Sequence, residues 1–193
     1  LQQRQAQARA TGRLYGIGVA AIVEPSVSNM GYISTVLTAE QRAKAGPKNG
    51  AIASATVGID LLGGLNVVVA SAPAGQGHIT VCAQVVADVL DCEPTAVTVL
   101  SETDTATVPW TVASGHYSSR FSGVGVGAVR AAAATLRAKI DAIRAYAGDE
   151  SLSLRRVAGM AHWNPEGLPP GLEPGLAAVA YWSAPNLDPP DPD

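Results

Sequence analysis

The chain has 193 residues, 47% of them hydrophobic but only 5% aromatic, which allows one domain with a core of Val, Ile, Leu and Ala. A net charge of -3 without clustered Lys and Arg excludes a nucleic-acid surface, which must neutralise phosphates. No run of 18 apolar residues occurs, so the sequence contains no candidate membrane-spanning helix.

The opening LQQRQAQARATGR is polar and is expected to be a helical lead-in over residues 1–13, not a signal peptide. YGIGVAAIVEPS, residues 15–26, is short and apolar and predicts a strand buried on both faces, ended by Pro25. Residues 27–50 are expected to be loop. Two extended runs follow, about 51–60 and 65–71, and the LLGGL between them supplies the glycines that a hairpin turn prefers.

Apolar residues recur at three- and four-residue spacing from His78 to about Asp91, including Val81, Cys82, Val85, Val86 and Val89, and predict an amphipathic helix. EPTAVTVLSE then predicts a turn and a strand near 95–101. Residues 103–121 form a long loop whose Trp110, Tyr117 and Phe121 argue against disorder. A small-residue helix is expected over about 119–147 and stops at Gly148. SLSLRRVAGMAHW is read as a strand or hairpin, PEGLPPGLEPG as a loop, AAVAYWSAP as a strand and the final Pro/Asp stretch as an irregular tail. The expected class is α+β, a mixed sheet with packed helices. Residues 14–148 form the main section and 149–193 a strand and loop extension. Both ends suggest a piece of a larger subunit.

Two loop-to-helix junctions stand out. In SAPAGQGHIT a strand leads into glycines and then a helix start, where main-chain N–H groups and the helix dipole favour an anion. Gly75 and Gly77 allow close approach, Gln76 offers donors and an acceptor, and Thr80 offers a hydroxyl. The bland alternative is a glycine turn with His78 and Thr80 capping the helix. In SGHYSSRF, Ser118 and Ser119 offer hydroxyls and Arg120 a planar cation suited to phosphate. There the alternative is a serine N-cap and a solvated arginine. Together the two junctions can grip a pyrophosphate from two sides.

Other constellations are weaker. GVGVGAV at 123–129 does not follow a strand directly, so it fits a close helix–sheet contact better than a dinucleotide fingerprint. His78, His116 and His162 are too scattered for a metal triad. A Ser118/His78/Asp104 triad has no GxSxG elbow to support it, and Asp104 suits a turn equally well. Cys82 and Cys92 form no CxxC or Cys/His cluster, so no zinc or iron–sulfur site is expected on this chain, and a reducing cytoplasmic compartment fits. No metal ligand is assigned. With no base or nucleophile partner for His78, the anion cradle is preferred to a catalytic histidine.

GQGHIT, AQVVADVL, TAVTVL, ETDTATVPW and GHYSSRF follow one another from Gly75 and lead into a small-residue helix ending at Ala147, with YGIGVAAIVEPS upstream. In order and spacing they resemble the molybdenum-binding large subunit of the xanthine dehydrogenase/aldehyde oxidase/carbon monoxide dehydrogenase family, the molybdenum hydroxylases. The resemblance implies hydroxylation of a small substrate at carbon with oxygen from water. It implies molybdopterin cytosine dinucleotide with molybdenum as cofactor, and electron transfer to Fe–S and FAD centres on partner chains. Gln76, Gly77 and His78, with Gly75 and Thr80 beside them, are then expected at the pterin and phosphates. Tyr117, Ser118, Ser119 and Arg120 match a loop that holds the dinucleotide. The sequence departs from the family pattern at Ser118, where many relatives have Gly, and at Phe121, where a small hydroxyl residue is common. The family's GxGE-type motif with its catalytic glutamate does not occur here, so no catalytic residue is assigned. The chain is expected to need the rest of the molybdenum subunit for activity. A non-catalytic nucleotide-binding module and an assembly chain remain the alternatives.

Overall fold

The computed structural model describes residues 1–22, 27, 36–45, 51–111 and 117–184. Helix α1 spans Gln2–Ala10 and buries nothing, as its polar sequence requires. Helix α2 covers Ala39–Ala45. Strands β1 (Ile52–Ile59) and β2 (Leu65–Val69) form an antiparallel hairpin in which Ile59 faces Leu65. Asp60 closes its turn by accepting bonds from the N–H groups of Leu62 and Gly64, each at 2.8 Å. Helix α3 (His78–Leu90) leads through a 3-10 turn at Pro94–Ala96 into β3 (Val97–Leu100), which lies parallel to β2. A 3-10 turn at Tyr117–Ser119 and a π turn at Phe121–Gly125 open the long helix α4, Val126–Ala147. Helix α5 (Leu154–Trp163) and strand β4 (Leu176–Ser183) follow, and β4 pairs antiparallel with β1.

The strand order is β3-β2-β1-β4, a mixed sheet of four strands, in keeping with the α+β class. Its core face carries Ala55, Val57 and Ile59 of β1, Leu65, Val67 and Val69 of β2, and Leu176 and Ala178 of β4. Ala128, Val129, Ala132, Ala133, Leu136, Ile140 and Ile143 of α4 are buried, a stripe at helical period. Their many alanines let the helix lie close to the sheet, which suits a core short of aromatic residues. Gly127 extends this close approach, because a Cβ there would run into the Trp182 indole of β4. The close helix–sheet contact expected for GVGVGAV is therefore observed. Lys139 of α4 donates from Nζ to the carbonyl of Ala177 on β4, the strand at one edge of the sheet, at 2.7 Å.

Three elements differ from expectation. Residues 15–22 of the predicted first strand join no ladder, and Val19 and Ile22 are 93% and 85% exposed. An extended run becomes a strand only beside a neighbour that accepts its hydrogen bonds, and none of the described strands pairs with it. Residues 23–26 lie outside the described residues. The loop expected over 27–50 contains α2, started by a capping box in which Gln41 N–H donates to Thr38 Oγ1 at 3.2 Å and Thr38 N–H to Gln41 Oε1 at 2.9 Å. SLSLRRVAGMAHW forms helix α5 where a strand or hairpin is expected. Ser153 caps it by accepting from the Arg156 N–H, and Val157, Ala158 and Ala161 are buried at helical spacing.

Candidate functional site

Strand β2, helix α3 and strand β3 make a strand–helix–strand unit with parallel strands, and the GQGH loop lies where β2 ends and α3 begins. Loops at the carboxyl ends of parallel strands are the usual ligand positions in such units, because the ladder has ended and a helix start faces the opening. Gly75 and Gly77 adopt φ +104° and +80°, which favour glycine, and a Cβ added at either would meet nothing within 4 Å. Gln76 is exposed, with its Oε1 accepting from the Ala74 N–H at 2.5 Å. Gly77 is the N-cap of α3, and no side chain caps the helix, so neither His78 nor Thr80 plays the capping role of the bland alternative. The first helical bond runs from Val81 N–H to Gly77 O at 3.0 Å. The N–H groups of Ile79 and Thr80 therefore precede the helix's own ladder. Thr80 is exposed.

His78 is different. It is 4% exposed, its Nδ1 lies 3.0 Å from Ser71 Oγ, and its ring stacks on Phe121 with centroids 3.7 Å apart at 16°. Its Nδ1 thus partners Ser71, not Asp104, whose carboxylate accepts from the Ala106 N–H within a turn at 2.9 Å. The Ser118/His78/Asp104 arrangement is not formed. Through the His78–Phe121 stack the fold brings the two predicted junctions together.

At the second junction Ser118 and Ser119 take φ of +51° and +47°, two successive left-handed residues. The Ser118 carbonyl accepts from the Val27 N–H at 2.7 Å, and the Ser119 carbonyl from Ser122 Oγ at 3.3 Å. Tyr117 opens this turn. Neither serine side chain caps the π turn or α4. Arg120 is not the solvated charge of the alternative reading. It is 1% exposed and donates from Nη2 to the Ile52 carbonyl at 2.9 Å, where Thr111 Oγ1 also donates at 2.8 Å. His116 lies outside the described residues.

Three participants escaped sequence reasoning. Ser71 had a signal: Leu65, Val67 and Val69 alternate toward the core, and the same period turns Ser71 inward. A polar residue at such a position needs a partner. Thr111 and the Ile52 carbonyl had none, because their meeting depends on the long loop crossing β1. Among the described residues no group of three or more His, Cys, Asp or Glu is gathered as for a metal. No described helix is long and apolar enough to cross a membrane.

The open glycine cradle and the helix start suit an anionic, planar cofactor, and comparison with known proteins bears on which one. The large subunit of nicotine 6-hydroxylase from Paenarthrobacter nicotinovorans is 28% identical over 200 residues, covering 93% of this chain and 23% of that protein. The carbon monoxide dehydrogenase large chain of Hydrogenophaga pseudoflava is 35% identical over 133 residues, covering 58% of this chain and 16% of that one. The crystal structure of quinoline 2-oxidoreductase from Pseudomonas putida 86 superposes with a TM-score of 0.65 at 27% identity, covering 96% of this chain and 25% of that one. The chain thus spans 23% or less of the length of these two curated relatives. The molybdopterin cofactor-binding domain family matches residues 1–192, and the chain belongs to it.

Proposed function

We propose that the chain forms one wall of the molybdopterin dinucleotide site of a molybdenum hydroxylase, an oxidoreductase that hydroxylates a small molecule at carbon. The observation that carries this reading is the open Gly75–Gly77 cradle at the start of α3, joined to the second junction by the His78–Phe121 stack. The N–H groups of Ile79 and Thr80 and the positive end of the helix suit phosphate oxygens. Gln76 suits the hydrogen-bonding edge of a heterocycle, and the bare backbone of Gly75 and Gly77 lets a ring come close. His78 and Thr80 flank that surface. In this reading Tyr117, Ser118, Ser119 and Arg120 form the opposite side, and Arg120 also anchors their turn on the Ile52 carbonyl. When bound, the cofactor supplies the redox centre, with water as the oxygen source.

In this reading the nucleotide is the cytosine form and residues 14–148 are the cofactor-binding section. The remaining part of the molybdenum subunit supplies the catalytic glutamate. Fe–S and FAD partner subunits take the electrons, in the cytoplasm. The relatives' designations as large subunit and large chain support a multi-subunit enzyme. The test is mass spectrometry of the ligand released from the purified complex, together with its molybdenum content. Molybdenum with a pterin cytosine dinucleotide is expected. A folded complex with all partners present and neither component would overturn the proposal, and a nucleotide without a pterin would favour a non-catalytic nucleotide-binding module.

A further inference from the structure

We propose that Ser71 and Phe121 are positioning residues that act through His78 to hold the two junctions of the cofactor cradle together. The inference rests on the cofactor reading above. It starts from the end of β2, where the core-facing alternation turns Ser71 inward and leaves it 4% exposed. A buried hydroxyl needs a hydrogen-bond partner, and the Ser71 Oγ–His78 Nδ1 pair at 3.0 Å supplies one. That bond spans the loop 72–77, exposed except at the half-buried Pro73, and ties the last residues after β2 to the first residue of α3. Around Gly75 and Gly77 the space is open, so packing at those two glycines does not fix the loop.

On its other side the imidazole lies flat against Phe121, the first residue of the π turn. Phe121 follows Arg120, whose guanidinium is anchored on the Ile52 carbonyl of β1. The path β2–Ser71–His78–Phe121–Arg120–β1 is therefore closed through two adjacent strands. A rigid loop is needed because a cofactor site must be held to within about 0.5 Å. The glycines that open the cradle cannot supply that rigidity themselves.

The test uses the full enzyme complex and four variants: Ser71→Ala, Ser71→Thr, Phe121→Leu and Phe121→Tyr. The readouts are pterin nucleotide per polypeptide, its rate of loss on dilution, and amide exchange over residues 72–80. Ser71→Ala and Phe121→Leu are expected to release nucleotide roughly five- to tenfold faster, the effect of one lost contact. Exchange should rise over 72–80 and stay unchanged in the α4 segment around Leu136 and Ile140. Ser71→Thr and Phe121→Tyr keep the hydroxyl and the ring and should behave as the parent. Combining Ser71→Ala with Phe121→Leu should cost less than the sum of the two, because both act through one imidazole. Parent-like release and exchange in Ser71→Ala and Phe121→Leu would overturn the proposal, as would conservative variants that fail equally or losses that simply add. If one variant does not assemble, the other carries the same comparison. A parent complex without any pterin nucleotide would remove the cofactor reading, and the exchange data would then decide the positioning role by themselves.

Discussion

Ser118 shows how one residue records a departure from its family. Its φ of +51° lies in the left-handed region, which costs an L-residue roughly 1–2 kcal/mol and glycine almost nothing. The resemblance predicts glycine at this place, and the backbone gives the reason. Ser118→Gly is therefore expected to stabilise the chain by about 0.5–1 kcal/mol after the greater unfolded-state entropy of glycine is deducted. Equilibrium denaturation checks this, and a loss of stability would show that the serine side chain holds the turn. Sequence reasoning found both serines, yet it could not find their dihedral angles, which are set by the turn between the long loop and the π turn. It found His78 but not Ser71, although the alternation of LNVVVAS placed that serine inward.

Among the elements, helix α4, which ends at Ala147, and strand β4, which begins at Leu176, meet at Gly127 and Trp182. Alanine ordinarily stabilises a helix relative to glycine by about 1 kcal/mol. Here the added Cβ would collide with the indole, and overpacking of this kind costs about 1–3 kcal/mol. Gly127→Ala is thus expected to destabilise by about 1 kcal/mol, reversing the ordinary order of the two residues. Thermal unfolding of the two proteins tests it. The elements carrying strong local signals were legible: the hairpin, α3, β3, α4 and β4. The glycines between two extended runs and the 3.6-residue period needed no tertiary information. Helix α5 was misread because SLSL suggests alternation, whereas the period begins at Leu154 after the Ser153 cap. Residues 15–22 were misread for the opposite reason, since apolar composition alone does not provide a neighbouring strand.

For the molecule as a whole, two carboxyl groups link stability to acid. The Asp60 carboxyl lies below its usual range because it accepts from Gly64 and Leu62 N–H groups. The Asp149 carboxyl is lowered by the Ser151 hydroxyl and N–H, with Oγ at 2.6 Å. A folded-state value below the unfolded one gives stability that is complete above the unfolded value. That stability is lost as pH falls through the folded one. Melting temperature should therefore drop between about pH 5 and pH 2. It should drop less steeply in Asp60→Asn, which keeps an acceptor oxygen but does not titrate. Equal slopes would show that the hairpin turn does not contribute to acid sensitivity. Burial pushes the Cys82 thiol up to about 12, so the chain's acid-base behaviour near neutrality does not involve that cysteine.

The Lys139 bond to Ala177 occupies one main-chain acceptor on the strand at one end of the sheet. Strand β4 would otherwise offer its outer border to any passing extended chain, and lysine laid along such a border is a known deterrent to unwanted pairing. The β3 side carries no such described guard, and its strand runs parallel to its neighbour. At Ala177 an incoming strand would have to displace that lysine before it could add to the β4 border.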